Sequence, residues 1–387
     1  MHPADYSHSL LTNDPVCVIM HTYPIGNVGE RRKDYENHVL YDVLSDRNEQ
    51  NTNASYTRSI VAMLTVSHIH AARSAYEHSV LFLCLGGCMV EKRESVTAKL
   101  CAFARAWHAV HNSNKIFYDD LAFDIMGKEE YDEMYDLVSR GLTGLPKPYS
   151  REDTEQIIQE YFAPIPLARI QFAENRLHEF AAEHGNIQYV ICGAGSDTFS
   201  FRNENPDIEI FEIDHPDTQR YKLERIAELE WNIPRNVHFV SVDFEQERMV
   251  EKLISAGFDM TKKTFFSILG VTYYLTLNVF SETLAQIADL SVPDSAVVFD
   301  YPMKTGTFPA RVHRLEKITA SLGEHMRGGY DYAEVSRALY ALGFQIDTYL
   351  PPEKVQAEYF DGRTDHLRAF ENVSLISATY TAGYNFE

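Results

Sequence analysis

The chain has 387 residues, of which 45% are hydrophobic and 24% are charged, so it can build a large core in one or two domains. It carries 35 basic and 56 acidic residues, which gives a net charge of −21 at pH 7. Proteins that bind nucleic acid or anionic membranes depend on basic surfaces. The sequence therefore predicts neither a nucleic-acid partner nor a membrane partner.

The first 93 residues differ from the rest of the chain in charge. Residues 1–93 contain 8 basic and 10 acidic residues, whereas residues 94–387 contain 27 and 46. Two explanations remain open. Residues 1–93 are a poorly ordered extension outside the core, or translation begins at Met89. Either way, residues 94–387 are predicted to form the functional domain.

Other signals indicate a cytoplasmic protein without a metal site. Residues 1–9 are polar and do not resemble a signal peptide, and the longest apolar run, Val80–Val90, is too short for a membrane span. The five cysteines are scattered. Cys84 and Cys88 lack further ligands at metal-binding spacing, so buried thiols are favoured over a zinc site.

Helices and strands alternate after Ser95, and this pattern predicts an α/β fold with a doubly wound, mostly parallel sheet. The predicted helices are Thr97–Val110, Asp119–Met126, Leu167–His184, Asp217–Leu229, Glu247–Ala256, Asn278–Leu290 and Tyr332–Leu342. The predicted strands are Gln188–Cys192, Glu209–Ile213, Val237–Val242, Thr264–Leu269, Ala296–Phe299, Phe344–Tyr349 and Leu375–Thr381.

A glycine-containing turn, Gly193-Ala194-Gly195, follows the first strand of this sheet. Ligands of doubly wound sheets bind at the carboxyl ends of the strands, and glycine lets the backbone approach a ligand closely. A dinucleotide-binding turn would need a third glycine at position 198, where the chain has Thr198. A nicotinamide-dependent oxidoreductase is therefore disfavoured.

Acidic residues end the next two strands. Asp214 follows the glycines by about twenty residues, where a carboxylate can accept both hydroxyls of a ribose. Asp243 and Phe244 follow the third strand and can hydrogen-bond and cover an adenine ring. A glycine turn followed by these two acids suits an adenosine ligand without a pyrophosphate, which is S-adenosylmethionine.

Several segments, among them GAGSDTFSFR at 193–202 and FEIDHP at 211–216, resemble the leucine carboxyl methyltransferase-like family. The closest similarity is to members described as O-methyltransferases. The resemblance extends from about Ser95 to about Ala378. It implies a class I, Rossmann-like methyltransferase sheet of seven strands with added N-terminal helices that cap the cofactor.

The resemblance also implies roles for individual residues. The glycine turn, Gly193, Ala194 and Gly195, would hold the methionine portion of S-adenosylmethionine. Asp214 would hold the ribose, and the Asp243–Phe244 pair would hold adenine. A basic residue before the first strand pairs with the cofactor carboxylate, and Arg169 matches best by position. Arg105 and Lys99 are weaker matches, for which surface salt bridges are the alternative.

Two positions depart from the family pattern. Many members carry Trp where this chain has Ile268, and others carry Glu where it has Leu269. That glutamate contacts the cofactor in the protein-phosphatase branch, so its absence argues against methylation of a phosphatase. The same departure supports an alternative function, a non-catalytic protein that binds S-adenosylmethionine or S-adenosylhomocysteine.

The leading prediction is methylation of a carboxylate or a hydroxyl on a small molecule. Such a transfer needs alignment and exclusion of water and no protein nucleophile. Tyr273 and Tyr274 follow the fourth strand and are predicted to line the acceptor pocket. Residues Pro302–Tyr330 form either a substrate lid or a surface insertion. Arg363 and Asp365 are interpreted as an ion pair that stabilises a turn rather than as catalytic groups.

Overall fold

A computed structural model describes three short strands before residue 64 and residues 95–382, except for 144, 244–246 and 305–306. Phe244, Cys84 and Cys88 lie outside the described residues. The chain divides into two compact units, Met1–Lys92 and Arg93–Glu387. No helix in the described part of the chain is both long and apolar enough to cross a membrane.

The first unit contains a three-stranded antiparallel sheet. Its strands, in the order in which they pair, are β1 (Cys17–His21), β2 (His38–Leu44) and β3 (Ile60–Met63). Cys17 pairs with Leu44, and His38 pairs with Met63. The prediction that residues 1–93 stay outside the catalytic core remains a prediction.

The second unit is built on a seven-stranded sheet, which confirms the predicted doubly wound α/β fold. Its strands are β4 (Ile187–Cys192), β5 (Ile208–Asp214), β6 (Val237–Ser241), β7 (Thr264–Ile268), β8 (Ala296–Pro302), β9 (Phe344–Leu350) and β10 (Val373–Tyr380). Their order across the sheet is β6-β5-β4-β7-β8-β10-β9. The pairs among β4 to β8 are parallel, whereas β10 is antiparallel to both of its neighbours. This order and the single reversed strand agree with the seven-stranded sheet that the family resemblance implies.

Twelve described α-helices surround the sheet or connect its strands. They are α1 (Val96–His111), α2 (Ala122–Met126), α3 (Lys128–Ser139), α4 (Arg151–Ile157), α5 (Pro164–His184), α6 (Phe199–Arg202), α7 (Pro216–Glu228), α8 (Met249–Ser255), α9 (Leu277–Leu290), α10 (Ala310–Ser321), α11 (Tyr332–Ala341) and α12 (Pro352–Val355). The sequence prediction omitted α3, α4, α6, α10 and α12. The other seven α-helices lie close to their predicted ranges.

Both faces of the sheet are buried. Tyr189 and Ile191 on β4 belong to the hydrophobic cluster that includes α1 and α5. Val190 and Cys192 point to the opposite face and belong to the cluster that includes α8, α9 and α11. Successive side chains of a strand point to opposite faces, so a strand covered on both sides is apolar throughout. This explains why the first strand of the sheet was readable as a short apolar run.

The chain order reverses beside β4. Its neighbours are β5, which follows it in sequence, and β7, which lies on the other side of the reversal. In open α/β sheets, ligands bind at the carboxyl ends of the strands at this switch point. The fold therefore places the glycine turn that begins at Gly193 where a ligand site is expected.

A buried ion pair joins β5 to α7. Glu212 lies in the middle of β5 and Lys222 on α7, with side chains 1% and 4% exposed and a nitrogen–oxygen distance of 2.5 Å. The second oxygen of Glu212 accepts a hydrogen bond from Ser200. Removing one partner of a buried pair leaves the other charge without compensation, which costs more than the pair contributes.

We expect Lys222→Met to lower the free energy of unfolding by about 3–5 kcal/mol, because it leaves the Glu212 carboxylate buried and unpaired. The double variant Lys222→Met/Glu212→Gln should recover much of this loss. Lys128→Met, which breaks an exposed pair with Asp132, is the control and should cost about 1 kcal/mol or less. Urea unfolding measures all three, and equal losses for Lys222→Met and Lys128→Met would contradict the prediction.

A buried histidine joins the end of α1 to a distant turn. The Nε2 atom of His108 accepts a hydrogen bond from the backbone N–H of Ile116 at 3.0 Å, and Nδ1 lies 2.9 Å from Oδ1 of Asn112. The amide of Asn112 donates to Asp365, which also accepts two hydrogen bonds from Arg363. The predicted Arg363–Asp365 ion pair is therefore present. With Nε2 as an acceptor, the ring is neutral and its proton lies on Nδ1.

Burial lowers the pKa of His108 from its ordinary value of 6.5 to about 4. The hydrogen bond with Asn112 and the charge of Asp365 oppose this shift, whereas Arg363 and Lys115 reinforce it. Between the two pKa values, the unfolded chain binds a proton that the folded chain does not bind. The stabilisation is thus complete above pH 6.5 and is lost as the pH falls towards 4.

We expect this loss to reach about 3 kcal/mol in the free energy of unfolding. His108→Gln removes the titration, so its stability should fall less than that of the wild type between about pH 7 and about pH 4. His313→Gln, at an exposed position on α10, controls for the loss of one histidine. Urea unfolding across this range measures the difference, and parallel curves for His108→Gln and the wild type would refute the expectation.

Candidate functional site

A cavity of about 390 Å³ lies at the carboxyl ends of β4, β5 and β7. The turn after β4, the end of β5 and the residues after β7 form its floor. Residues of α1, of α5 and the π-helix Ile158–Phe162 before it, and of α10 with its following segment form the other walls. Of the predicted site residues, Arg169, Gly193, Ala194, Gly195, Asp214, Tyr273 and Tyr274 line this cavity.

The turn after β4 needs its glycines. Gly193 and Gly195 have φ angles of 78° and 48°, in the left-handed region that other residues avoid. A Cβ atom at Gly193 would lie 2.6 Å from Cγ2 of Val271, so this position also lacks space for a side chain. Nothing lies within 4 Å of a Cβ built at Gly195, so that backbone faces open space in the cavity wall.

Asp214 links the end of β5 to this turn. One oxygen of its carboxylate accepts the N–H of Gly195 at 2.6 Å, and the other accepts the N–H of His215 at 2.7 Å. Burial raises the pKa of Asp214, and these two hydrogen bonds oppose the rise. Because each carboxylate oxygen can accept two hydrogen bonds, Asp214 retains acceptor capacity for a ligand in the cavity.

Two buried cations hold consecutive carbonyl groups of the turn. Arg105, on α1, donates to the carbonyl of Ser196 at 2.7 Å. Lys222, on α7, donates to the carbonyl of Asp197 at 2.5 Å. Arg105 is also paired with Asp119 at 2.7 Å. It therefore positions the turn, and its guanidinium is already engaged by protein groups.

Thr198 occupies the position where a dinucleotide-binding turn needs glycine, and its side chain is fully buried. Its hydroxyl donates to Asp119 at 2.7 Å and accepts from Nε of Arg202 at 2.9 Å. Arg202 in turn makes two hydrogen bonds to Glu174 on α5. A threonine here connects the turn to α5 and to the segment after α1, which a glycine would not do.

Arg169, on α5, reaches the cavity from the side of β8. Its side chain is 13% exposed, and its Nη1 lies 3.5 Å from Oδ2 of Asp300. The buried Nε has no hydrogen-bond partner among the described residues. Burial lowers the pKa of Arg169, but the charge of Asp300 raises it and the net direction is upward, so the guanidinium is charged. A charged, incompletely paired guanidinium in a cavity wall suits an anionic ligand.

The two tyrosines after β7 donate hydrogen bonds to acids at the edge of the cavity. The hydroxyl of Tyr273 donates to Asp300 at 2.8 Å, and that of Tyr274 donates to Glu324 at 3.1 Å. Burial, reinforced by the neighbouring acid in each case, raises the pKa of both phenols above the ordinary range. Both tyrosines are therefore protonated donors near neutral pH.

The remaining predicted residues lie elsewhere. Asp243 is not among the described lining residues of the cavity, and its backbone N–H donates to Glu247. Its predicted role, like that of Phe244, stays a prediction. Lys99 makes a salt bridge with Glu130 on α3 and does not line the cavity. Ile318 and Leu322, from the Pro302–Tyr330 segment, also line the cavity. For this segment the sequence left a substrate lid and a surface insertion as alternatives.

Sequence reasoning missed Glu212, Lys222, Asp119 and Glu324. Glu212 carried a visible signal, because it lies between the apolar Phe211 and Ile213 in the buried part of β5, where a charged residue needs a partner. Glu324 had no comparable signal. Its oxygens accept from the Ser95 hydroxyl and from Tyr274, which are far apart in the chain.

The sequence matches a family model described as leucine carboxyl methyltransferase over residues 98–288. A protein of Bacillus subtilis (strain 168), named "Putative S-adenosyl-L-methionine-dependent methyltransferase YktD", is 34% identical over 304 residues. That alignment covers 75% of this chain and 99% of the Bacillus protein. A similarly named protein of Mycobacterium bovis (strain BCG / Pasteur 1173P2) is 33% identical over 210 residues, covering 51% of this chain and 60% of that protein.

Solved structures give a weaker comparison. A crystal structure described as a putative methyltransferase from Thermobifida fusca YX has a TM-score of 0.47 and 15% identity, and covers 74% of this chain and 94% of that chain. The sequence relationship is therefore the stronger evidence. Similarity over nearly the whole length of the Bacillus protein, together with the family model, shows that this chain belongs to the leucine carboxyl methyltransferase family and is an S-adenosyl-L-methionine-dependent methyltransferase.

Proposed function

We propose that the protein transfers a methyl group from S-adenosylmethionine to an oxygen of a small molecule, and that this oxygen belongs to a carboxylate. The observation that carries the proposal is the composition of the cavity. Glycine backbone, Asp214 and the Arg169 guanidinium line one part of it, and apolar side chains line another. The first part suits the cofactor, and the second suits the acceptor.

The described residues fit the cofactor. The guanidinium of Arg169, with its unpartnered Nε, would take the carboxylate of the cofactor. The open backbone at Gly195 leaves room for the methionine portion. Asp214 would accept the ribose hydroxyls. Asp243 and Phe244 are proposed to hold adenine. The N–H of Val242 donates to the carbonyl of Asp214, which keeps the segment after β6 beside the end of β5.

The chain contributes alignment and exclusion of water to the transfer. When bound, the cofactor supplies a methyl group on a positively charged sulfur, which an acceptor oxygen displaces in line. Tyr273 and Tyr274 are protonated and donate to acids, so neither serves as a general base. The described lining contains no histidine, and its two carboxylates, Asp197 and Asp214, belong to or contact the glycine turn. A carboxylate acceptor needs no base, which favours it over a hydroxyl.

Apolar residues supply the surface for the body of the acceptor. Tyr161, Phe162 and Ile165 precede or begin α5, and Leu315 and Leu322 come from α10 and its C-terminal end. Burying apolar surface is favourable by about 25 cal/mol per Å². The acceptor is therefore proposed to be a small carboxylic acid with an apolar body.

We expect Asp214→Asn to weaken binding of S-adenosylhomocysteine by about 10–100-fold, because hydrogen bonds to a charged group contribute about 1.5–3 kcal/mol each. Asp217→Asn is the matched control. Asp217 lies three residues further along, pairs with Arg220 and does not line the cavity. Isothermal titration measures both affinities, and equal effects of the two substitutions would contradict the role proposed for Asp214.

A screen with methyl-labelled S-adenosylmethionine and a panel of small apolar carboxylic acids and alcohols tests the acceptor class. We expect labelled products from the acids, and we expect mild base to release the label as methanol, because base hydrolyses methyl esters and leaves methyl ethers intact. A base-stable product would point to a hydroxyl acceptor. Cofactor binding with no turnover on any acceptor would favour the non-catalytic alternative, for which the Ile268–Leu269 pair is the motivation.

A further inference from the structure

We infer that Asp300 and Gly270 are positioning residues that place the Arg169 guanidinium where it can take the carboxylate of the cofactor. The inference rests on the role proposed for Arg169. It adds a specific device: Asp300 attracts the guanidinium from β8, and Gly270 leaves the space that the guanidinium occupies.

Asp300 is fully buried and is not part of the cavity lining. One of its oxygens accepts the N–H of Gly270 at 2.7 Å. The other accepts the Tyr273 hydroxyl at 2.8 Å and lies 3.5 Å from Nη1 of Arg169. The carboxylate thus makes two short hydrogen bonds to the segment after β7 and one long contact to Arg169.

The long contact leaves most of the guanidinium available. Arginine has five N–H donors in a planar fork, and Asp300 approaches only Nη1 among them. Bidentate binding of a second carboxylate requires the plane of the fork to be fixed. Asp300 attracts the guanidinium through Nη1 and makes no hydrogen bond with Nη2 or Nε.

Gly270 supplies the space. Its φ angle is 73°, and a Cβ atom there would lie 2.5 Å from Nη1, 2.6 Å from Nη2 and 2.7 Å from Cζ of Arg169. The guanidinium therefore lies directly against the Cα side of this residue. Any side chain at position 270 would force the end of Arg169 to move, even though a flexible side chain can accommodate the change without unfolding the protein.

The chain contains a control glycine with a matching φ angle. Gly185 ends α5 with a φ angle of 74°, and a Cβ atom there would meet nothing within 4 Å. Both positions therefore have a left-handed φ angle that strains any side chain, but only Gly270→Ala places a Cβ atom against Arg169.

Two ligands distinguish a misplaced Arg169 guanidinium from a general loss of folding. S-adenosylhomocysteine carries the amino-acid carboxylate, whereas 5′-methylthioadenosine carries the same adenosine and sulfur without it. We expect Gly270→Ala to weaken binding of S-adenosylhomocysteine by about tenfold or more, in line with loss of a charge-assisted hydrogen bond. Binding of 5′-methylthioadenosine should weaken by less than about twofold. Gly185→Ala should leave both affinities within about twofold of the wild type.

Asp300→Asn is the second variant. It replaces one acceptor oxygen with a donor NH₂ group beside Arg169. Provided that its circular dichroism and melting curve show a folded protein, this variant should also weaken binding of S-adenosylhomocysteine more than binding of 5′-methylthioadenosine. A double-variant cycle with Arg169→Lys completes the test. If Gly270 acts through the guanidinium, Gly270→Ala should have little further effect on S-adenosylhomocysteine once position 169 is lysine.

The outcomes distinguish the inference from the proposed function. Wild-type protein that fails to bind S-adenosylhomocysteine, or Arg169→Met that binds it as tightly as the wild type, would overturn the assignment of Arg169 itself. A different outcome is that Arg169→Met weakens binding of S-adenosylhomocysteine selectively while Gly270→Ala and Asp300→Asn weaken binding of both ligands equally or of neither. In that case the positioning role is wrong and the role of Arg169 stands.

Discussion

The candidate site depends on the clamping of two consecutive carbonyl groups in the turn after β4. Arg105 holds the carbonyl of Ser196 and Lys222 holds that of Asp197, from helices α1 and α7. Both side chains are nearly inaccessible to solvent, so the hydrogen bonds form in a low dielectric, where they are stronger than in water. The turn thus has its conformation fixed by charged groups and does not rely on the glycines alone.

This clamp also explains why α1 belongs to the fold. Arg105 needs Asp119 as its counter-ion, and Asp119 also accepts the hydroxyl of Thr198. Arg202 and Glu174 extend the network to α5. Such buried networks are costly unless every member is satisfied, and they then favour one arrangement over others. Helix α1 is thereby fixed against the turn, and it forms one wall of the cavity.

Much of the fold could be predicted because buried parallel strands have a simple pattern. The strand Ile187–Cys192 is buried at every position, so it is visible as an apolar run followed by glycines. Asp214 was predictable for a similar reason, since it ends the next strand along the chain. Helices such as α3 and α12 were missed because their sequences are polar or contain few buried residues.

The residues that position Arg169 were harder to predict because they are distant from it in sequence. Asp300 and Arg169 are 131 positions apart, and neither one identifies the other without the strand order. Gly270 resembles any glycine in a loop until the guanidinium beside it is known. Lys99, a weaker match for which a surface salt bridge was the alternative, shows the opposite case. A position can align with a functional residue while its charge pairs with a neighbouring helix, here through Glu130.

The charge of the chain constrains how an anionic acceptor can bind. The protein has a net charge of −21, yet the site contains the cations Arg105, Lys222 and Arg169, each beside a buried acid. The clamp and the positioning pair therefore add little net positive charge to attract an anion. Surface charges act over about 8 Å at physiological ionic strength. The proposed carboxylate acceptor would gain little from long-range attraction, so its binding would have to come mainly from burial of an apolar body against the walls formed by α5 and α10.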